Sequence, residues 1–161
     1  MHIEIRHPDW NSPLDRSTVL DLLDAYANDL MGGGHPLSDH VRSNLCKELA
    51  QRPSIVVLLA FQDSEPAGLC IANEGFSTFA CKPLLNIHDL VVTTRFRGRG
   101  IARALMEQAH AIALRRDCCK LTLEVLENNA IARSFYNAIG FSSYELDPAA
   151  GKALFLEKKI A

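Results

Sequence analysis

Residues 93–105 read TTRFRGRGIARAL and place four arginines and two glycines between an apolar run and a helical pattern. The unpaired N–H groups at a helix start, together with the positive end of its dipole, form an anion site. Glycines let the backbone approach a phosphate closely, and arginines add charge-assisted hydrogen bonds. This stretch therefore predicts a phosphate-binding loop between a buried strand and a helix.

The loop does not match the two common nucleotide-binding loops. No Gly-Lys-Ser/Thr follows as in a Walker loop, and Arg103 stands where the third glycine of a dinucleotide-binding fingerprint belongs. The net charge of the chain is −2, so the arginines are a local feature. That favours a small phosphate ligand over a long nucleic-acid groove. A nucleic-acid-binding module with strongly salt-dependent affinity stays as an alternative.

Composition favours one globular α/β domain, residues 1–161. The chain is 48% apolar and 22% charged, which is typical of globular proteins. It has no apolar run of 18 residues and no basic-then-apolar leader, so we expect a cytoplasmic protein with no membrane partner. Five cysteines without a Cys-x-x-Cys pair predict reduced structural thiols and no metal site.

Hydrophobic periodicity and turn residues predict the element order βααβββαβαββ. Helices are predicted over 13–31, 38–51, 100–115 and 129–139. Strands are predicted over about 2–7, 54–62, 65–75, 85–93, 121–126, 141–147 and 153–160.

The last predicted helix has two distinct faces. At 100° per residue, Asn129, Ala132 and Tyr136 fall within about 60° of one another. The other side carries a stripe that we expect to face the core: Ile131, Phe135 and Ala138. One face then packs while the other presents an amide, a small residue and a phenol.

Two segments together resemble the GNAT superfamily of N-acetyltransferases. Arg95-x-x-Gly98-x-Gly100 fits the signature Arg/Gln-x-x-Gly-x-Gly/Ala of that family. The second element is Asn129-x-x-Ala132-x-x-Phe135-Tyr136-x-x-x-Gly140-Phe141. The two segments occur in the family's order and at about its spacing. The resemblance covers residues 55–160 well and the first 50 in outline, and it implies a mixed, mostly antiparallel sheet flanked by helices.

A shorter segment is similar to the diamine and thialysine acetyltransferase branch of this family. Residues 76–82 read FSTFACK and precede Ile87-His88-Asp89-Leu90 on the next strand. Members of that branch carry an aromatic-containing loop followed by Leu-Glu-Asp.

The resemblance implies an acetyl-CoA site, with acetyl-CoA as co-substrate. The pantetheine arm would run along the backbone of Leu90, Val91 and Val92 like an added strand. The later helix would meet the cofactor through Asn129, Ala132 and Tyr136. The pyrophosphate would rest on the backbone N–H groups of Arg97, Gly98, Arg99, Gly100, Ile101, Ala102 and Arg103.

Acetyl transfer to an amine needs proton handling, because only about one lysine-like ammonium in a thousand is neutral near pH 7. His88 stands where the diamine branch has Glu, and its ordinary pKa near 6.5 suits a general base. Alternatively, His88 has a buried structural role. Glu124 is then the reserve candidate for the base. Asp89 would bind the acceptor's ammonium, order His88 or cap a loop.

The geometry of the strand limits how His88 and Asp89 can act together. Strict alternation sends neighbouring side chains to opposite sheet faces, so both can line one site only if the strand is bulged. An N–H near Leu90 to Val92 would stabilise the oxyanion. Tyr136 is the family-implied acid or hydrogen-bond donor to the departing thiolate.

We therefore expect an N-acetyltransferase that moves acetyl from acetyl-CoA to a primary amine by direct attack in a ternary complex. The acceptor is a diamine or amino-acid-like amine first, an aminoglycoside second and a protein amine third. A non-catalytic acetyl-CoA sensor is the alternative, and a homodimer is possible. Speculative residues lining the acceptor pocket are Tyr26, Asp29, His35 and Phe79.

Overall fold

The computed structural model describes residues 2–145 and 147–160. The chain divides into two compact units, Met1–Glu124 and Val125–Ala161. The first contains β1 (Ile3–Arg6), α1 (Pro13–Ala27), α2 (Asp39–Ala50), β2 (Ile55–Gln62), β3 (Glu65–Ser77), β4 (Lys82–Val92), α3 (Ile101–Arg115) and β5 (Leu121–Leu123). The second contains α4 (Ala130–Ala138).

Three 3₁₀ turns lie between these elements, at Leu30–Gly32, Thr94–Phe96 and Pro148–Ala150. In the part of the chain that is described, no helix is long and apolar enough to cross a membrane.

Local capping sets where the first two helices begin. The Ser12 side chain accepts a hydrogen bond from the Asp15 N–H, and Pro13 opens α1. Ser38 accepts one from the Val41 N–H at the start of α2. Serine oxygens satisfy N–H groups that a helix start leaves unpaired, and Pro suits the first helical position. The predicted helix starts are therefore confirmed.

The sheet has the order β1-β2-β3-β4-β5. Its first three pairs are antiparallel, and β4 pairs with β5 in parallel. The predicted mixed, mostly antiparallel sheet flanked by helices is confirmed.

Helices cover both faces of this sheet. The α3 helix packs against β1 to β4 on one face, and its Ile101 and Leu105 are fully buried. On the other face, Val19, Leu22, Cys46 and Leu49 of α1 and α2 meet a row of buried strand residues: Val57, Leu59, Phe61, Leu69, Ile71 and Val91. Burial of this apolar surface is the main stabilising contribution.

The prediction of two closing strands, over 141–147 and 153–160, was wrong for the described residues. No strand forms in residues 141–145 or 147–160, and Leu146 lies outside the described residues. Apolar side chains that the pattern assigned to a buried face are largely exposed, including Leu154, Phe155 and Leu156. A strand pattern needs a partner edge, and composition alone does not provide one.

Two other predicted elements are shorter than expected. The fifth strand ends at Leu123 rather than near residue 126. The first helix ends at Ala27, because Asp29 accepts a hydrogen bond from the Met31 N–H and starts a separate turn.

The core-facing stripe predicted for α4 was also wrong. Ile131 is 86% exposed and Ala138 is exposed, whereas Ala132 and Tyr136 are half-buried. Residues four apart share one face of a helix. The face with Ala132 and Tyr136, which was predicted to lie away from the core, is therefore the more buried face of α4. Of the predicted stripe, only Phe135 is half-buried.

Gly68 lets the start of α3 approach the sheet. A Cβ at this position would lie 2.7 Å from the Val91 oxygen, 3.0 Å from Ile101 Cγ2 and 3.1 Å from Leu105 Cδ1. We expect Gly68→Ala to lower the free energy of unfolding by about 1–3 kcal/mol through overpacking, measured by urea titration.

Gly75→Ala is the matched control in the same strand, because its Cβ would meet Leu84 at an ordinary 3.4 Å. A Gly68→Ala variant as stable as Gly75→Ala would contradict the tight approach.

Candidate active site

A β-bulge in β4 lies at His88. Ile71 of β3 pairs with Asp89 and the next residue, Ala72, pairs with Ile87, so His88 is an extra residue. Paired residues share a sheet face, which places Ile87 on the α3 side and Asp89 with Ile71 on the α1 and α2 side. The bulge that the His88–Asp89 arrangement required is therefore present.

The two side chains meet at this bulge. His88 Nδ1 lies 3.2 Å from Asp89 Oδ2, and the side chains are 63% and 19% exposed. His88 is thus no buried structural histidine, and that alternative is excluded. When the neutral ring donates its Nδ1 proton to the carboxylate, Nε2 is left as a proton acceptor.

Tyr26 and Asp29 belong to the same region of the first unit. Burial raises the pKa of the Tyr26 hydroxyl, and the charges of Asp89 and Asp29 raise it further. The hydroxyl donates to the Met31 carbonyl oxygen at 3.5 Å. Tyr26 is therefore a neutral hydrogen-bonding group at physiological pH.

The structure separates the other two speculative pocket residues. His35 is exposed, and its N–H donates to the Ala27 oxygen at 3.0 Å, next to Tyr26. Phe79 is 94% exposed in the hairpin turn between β3 and β4, at the opposite end of β4 from residues 93–103.

The outer edge of β4 opens just after Ile87. Pairing with β5 covers only Leu85 to Ile87, while β4 continues to Val92. Within residues 2–145 and 147–160, no strand pairs with residues 88–92 on the β5 side, although the Val92 oxygen accepts from Arg97 Nε. An unpaired strand edge accepts an extended partner. Leu90, Val91 and Val92, the predicted pantetheine residues, lie on it.

The loop of residues 93–103 has the free backbone amides that an anion cradle needs, and residues 98–103 are called the cradle. Gly98 and Gly100 have φ of 75° and 85°, and Gly100 is the N-cap of α3, without a side-chain cap. Among the described residues, the amides from Gly98 to Arg103 donate to no backbone oxygen. Successive left- and right-handed residues aim their N–H groups into one anion-binding concavity.

One member of the predicted amide set is already engaged. The Arg97 N–H donates to the Thr94 oxygen at 3.3 Å, so the free amides begin at Gly98. The family signature also fits a second frame, Arg97-x-x-Gly100-x-Ala102, and in it the first glycine coincides with the helix N-cap. This second frame is the one we missed in the sequence.

The four arginines of this loop fall into two groups according to their partners. Arg95 forms a bidentate pair with Glu65, and Arg97 donates from Nε to the Val92 oxygen at 3.3 Å. Arg99 lies over the buried Phe96 ring at 5.6 Å. Within residues 2–145 and 147–160, neither Arg99 nor Arg103 pairs with a carboxylate. These two supply uncompensated charge beside the free amides.

Other predicted site residues lie around or beyond the end of β5. Glu124 is exposed just after it. In the second unit, Asn129 Oδ1 caps α4 by accepting from the Ala132 N–H at 3.2 Å. The Tyr136 ring lies 5.4 Å from Phe135 and, edge-on, 5.8 Å from Phe141. Such aromatic contacts fix a ring's orientation.

Comparison with known proteins gives relatives named as acetyltransferases. An uncharacterized N-acetyltransferase of Archaeoglobus fulgidus is 38% identical over 94 residues, 58% of this chain and 64% of that protein. The thialysine N-epsilon-acetyltransferase of Bos taurus is 30% identical over 80 residues, 47% of each chain. This chain thus spans less than two thirds of these relatives' lengths.

Solved structures show the same fold. One described as a probable acetyltransferase has a TM-score of 0.79 at 21% identity, covering 100% of both chains. Another, AAC(6')-Iy in complex with the bisubstrate analogue CoA-S-monomethyl-acetylneamine, has a TM-score of 0.76 at 20% identity. It covers 99% of this chain and 100% of that one.

A family model described as the acetyltransferase (GNAT) family matches residues 19–141. That span includes the bulged strand, the cradle and α4. The chain belongs to the acetyltransferase (GNAT) family.

Proposed function

We propose that this protein transfers acetyl from acetyl-CoA to the primary amine of a small cationic molecule by direct attack in a ternary complex. The observation that carries the proposal is the His88 bulge, at the start of the free edge of β4. The bulge brings His88 and Asp89 together at one end of residues 88–103. The anion cradle lies at the other end, at the start of α3.

The cradle suits the diphosphate of acetyl-CoA. Its six free amides begin at Gly98, and Arg99 and Arg103 add positive charge. The free edge from Leu90 to Val92 then offers backbone groups to the pantetheine amides. The complex of AAC(6')-Iy, a protein of the same fold, with a CoA conjugate supports the same ligand class.

His88 supplies the base in this mechanism. The acceptor arrives as an ammonium, and its proton passes to Nε2 of His88 directly or through one water. Asp89 accepts the Nδ1 hydrogen bond, holds the ring's orientation and stabilises the charged ring that results. The neutral amine then attacks the thioester carbonyl carbon, and the positively charged nitrogen of the intermediate releases its second proton to water as the amide forms.

The remaining charges develop on oxygen and sulfur. An unpaired N–H on the edge near Leu90 to Val92 stabilises the oxyanion. As the C–S bond breaks, the Tyr136 hydroxyl donates a hydrogen bond or its proton to the thiolate. Full transfer is slightly uphill, since the reference pKa of tyrosine is about 10 and that of a thiol about 8.5.

The acceptor side favours a cation. Asp89 and Asp29 are carboxylates near the Tyr26 hydroxyl, and carboxylates bind ammonium groups. A diamine or amino-acid-like amine, as in the name of the thialysine acetyltransferase, comes first. Aminoglycosides come second, because a structure of this fold is described in complex with sisomicin, and protein amines come third. We also propose that the protein is cytoplasmic and forms a homodimer.

Release of free thiol from acetyl-CoA across a panel of amines tests the reaction. We expect turnover with at least one small diamine or thialysine and a loss of about 10²-fold or more in kcat/KM for His88→Gln. The pH profile of kcat/KM should differ between the wild type and His88→Gln, because the variant lacks the proposed base. Tyr136→Phe should lower kcat more than it raises KM.

His110→Gln is the matched control, because His110 is exposed on α3 away from the bulge. Binding of CoA without turnover of any amine would favour the sensor alternative. An unchanged pH profile in His88→Gln would exclude His88 as the base.

Gly100→Ala tests the cradle separately. The left-handed φ of 85° costs an alanine about 1–2 kcal/mol, although its Cβ would meet nothing within 4 Å. Because relief of that strain turns the free amides away, we expect CoA to bind several-fold more weakly by calorimetry.

Gly151→Ala also puts an alanine at a positive φ, 82°, but at ψ −173° and outside the cradle, and should leave CoA affinity unchanged. Equal effects of both variants on CoA affinity would contradict the cradle.

A further inference from the structure

We propose that the Arg97–Asp29 ion pair couples the phosphate cradle to the acceptor side, so that CoA binding orders the Leu30–Gly32 turn. The inference rests on the proposed function only in taking CoA as the cradle's ligand. Arg97 and Asp29 act in this coupling as positioning residues, through the turn, and neither touches the thioester.

Arg97 is held at the edge of the cradle. Its Nε donates to the Val92 oxygen at 3.3 Å, and its N–H donates to Thr94 at 3.3 Å. The next residue, Gly98, is the first with a free amide. A phosphate that immobilises Gly98 therefore also restricts Arg97.

Asp29 is the partner of Arg97 and organises the turn after α1. Its Oδ2 lies 3.8 Å from Arg97 Nη2, and its Oδ1 accepts from the Met31 N–H at 2.9 Å. Its backbone oxygen accepts from Gly32 at 2.9 Å and from Gly34 at 3.0 Å. One aspartate thus makes three of the hydrogen bonds that shape this glycine-rich segment.

The turn leads on to the proposed acceptor groups. The Tyr26 hydroxyl donates to the Met31 oxygen at 3.5 Å. Tyr26 lies on α1, which packs against β4, and the bulge puts Asp89 on that sheet face. Ordering Met31 therefore orders Tyr26 beside Asp89, the carboxylate proposed to bind the acceptor.

The size of the coupling follows from the exposure of the pair. The side chains of Arg97 and Asp29 are 61% and 41% exposed, and exposed ion pairs shift equilibria by up to about fivefold. We therefore expect CoA and the acceptor to tighten each other's binding by about two- to fivefold, since linkage is reciprocal. The coupling should weaken as salt increases.

Hydrogen–deuterium exchange with and without saturating CoA tests this without knowledge of the acceptor. In the wild type, CoA should slow exchange in peptides covering residues 98–103 and 22–37. Asp29→Asn keeps an oxygen for the Met31 N–H but removes the charge. It should retain protection of 98–103 and lose that of 22–37.

Arg97→Gln should behave in the same way, and the double variant should be no worse than either single one, as expected for one interaction. Glu65→Gln is the matched control. It breaks the Arg95 pair on the same loop, which does not lead to the turn, and it should keep both protections.

If CoA still slows exchange in 22–37 of Asp29→Asn, the coupling inference is wrong but the proposed function is not. The same holds if CoA protects 98–103 of the wild type and has no effect on 22–37. Faster exchange in 22–37 on CoA addition would also overturn it, because the phosphates would then pull Arg97 away from Asp29. Lack of protection at 98–103 would count against the proposed function itself.

Discussion

Strand β4 has one residue more than β3 between Ile87 and Asp89, and the rest of the site depends on this offset. Side chains alternate along a strand, so an unbulged β4 would send Asp89 to the same face as Leu85 and Ile87, under α3. The extra residue moves Asp89 to the face covered by α1 and leaves His88 at the edge. The contact between the His88 and Asp89 side chains follows from this change of face.

The bulge lies where the sheet opens and just ahead of the cradle. Beyond Ile87, β4 has no partner in β5, and its edge leads into the turn that carries Phe96. Phe96 is buried and fixes the loop, while Gly68 admits the start of α3. The His–Asp pair and the free amides are thus two ends of one short continuous segment. In the proposed reaction, that continuity lets one strand contact both the acetyl donor and the acceptor.

Features set by local chemistry could be predicted from the sequence, and features set by distant partners could not. Ser38 caps its helix because its side chain accepts from the Val41 N–H three residues later. Gly100 starts α3 because a glycine adopts the left-handed φ of 85° without strain. The bulge could be predicted only as a requirement for His88 and Asp89 to line one site. The sequence at these two positions does not show how β4 pairs with β3. The closing strands and the stripe around Ile131 failed because apolar periodicity does not tell which face finds a partner.

A crystal structure of the protein with CoA tests the central claim most directly. The account predicts that the diphosphate accepts hydrogen bonds from amides between Gly98 and Arg103, and that the pantetheine arm lies along the free edge from Leu90 to Val92. The sulfur should then point toward the His88–Asp89 bulge. A diphosphate bound away from these amides, or an arm that leaves the β4 edge unpaired, would contradict the account.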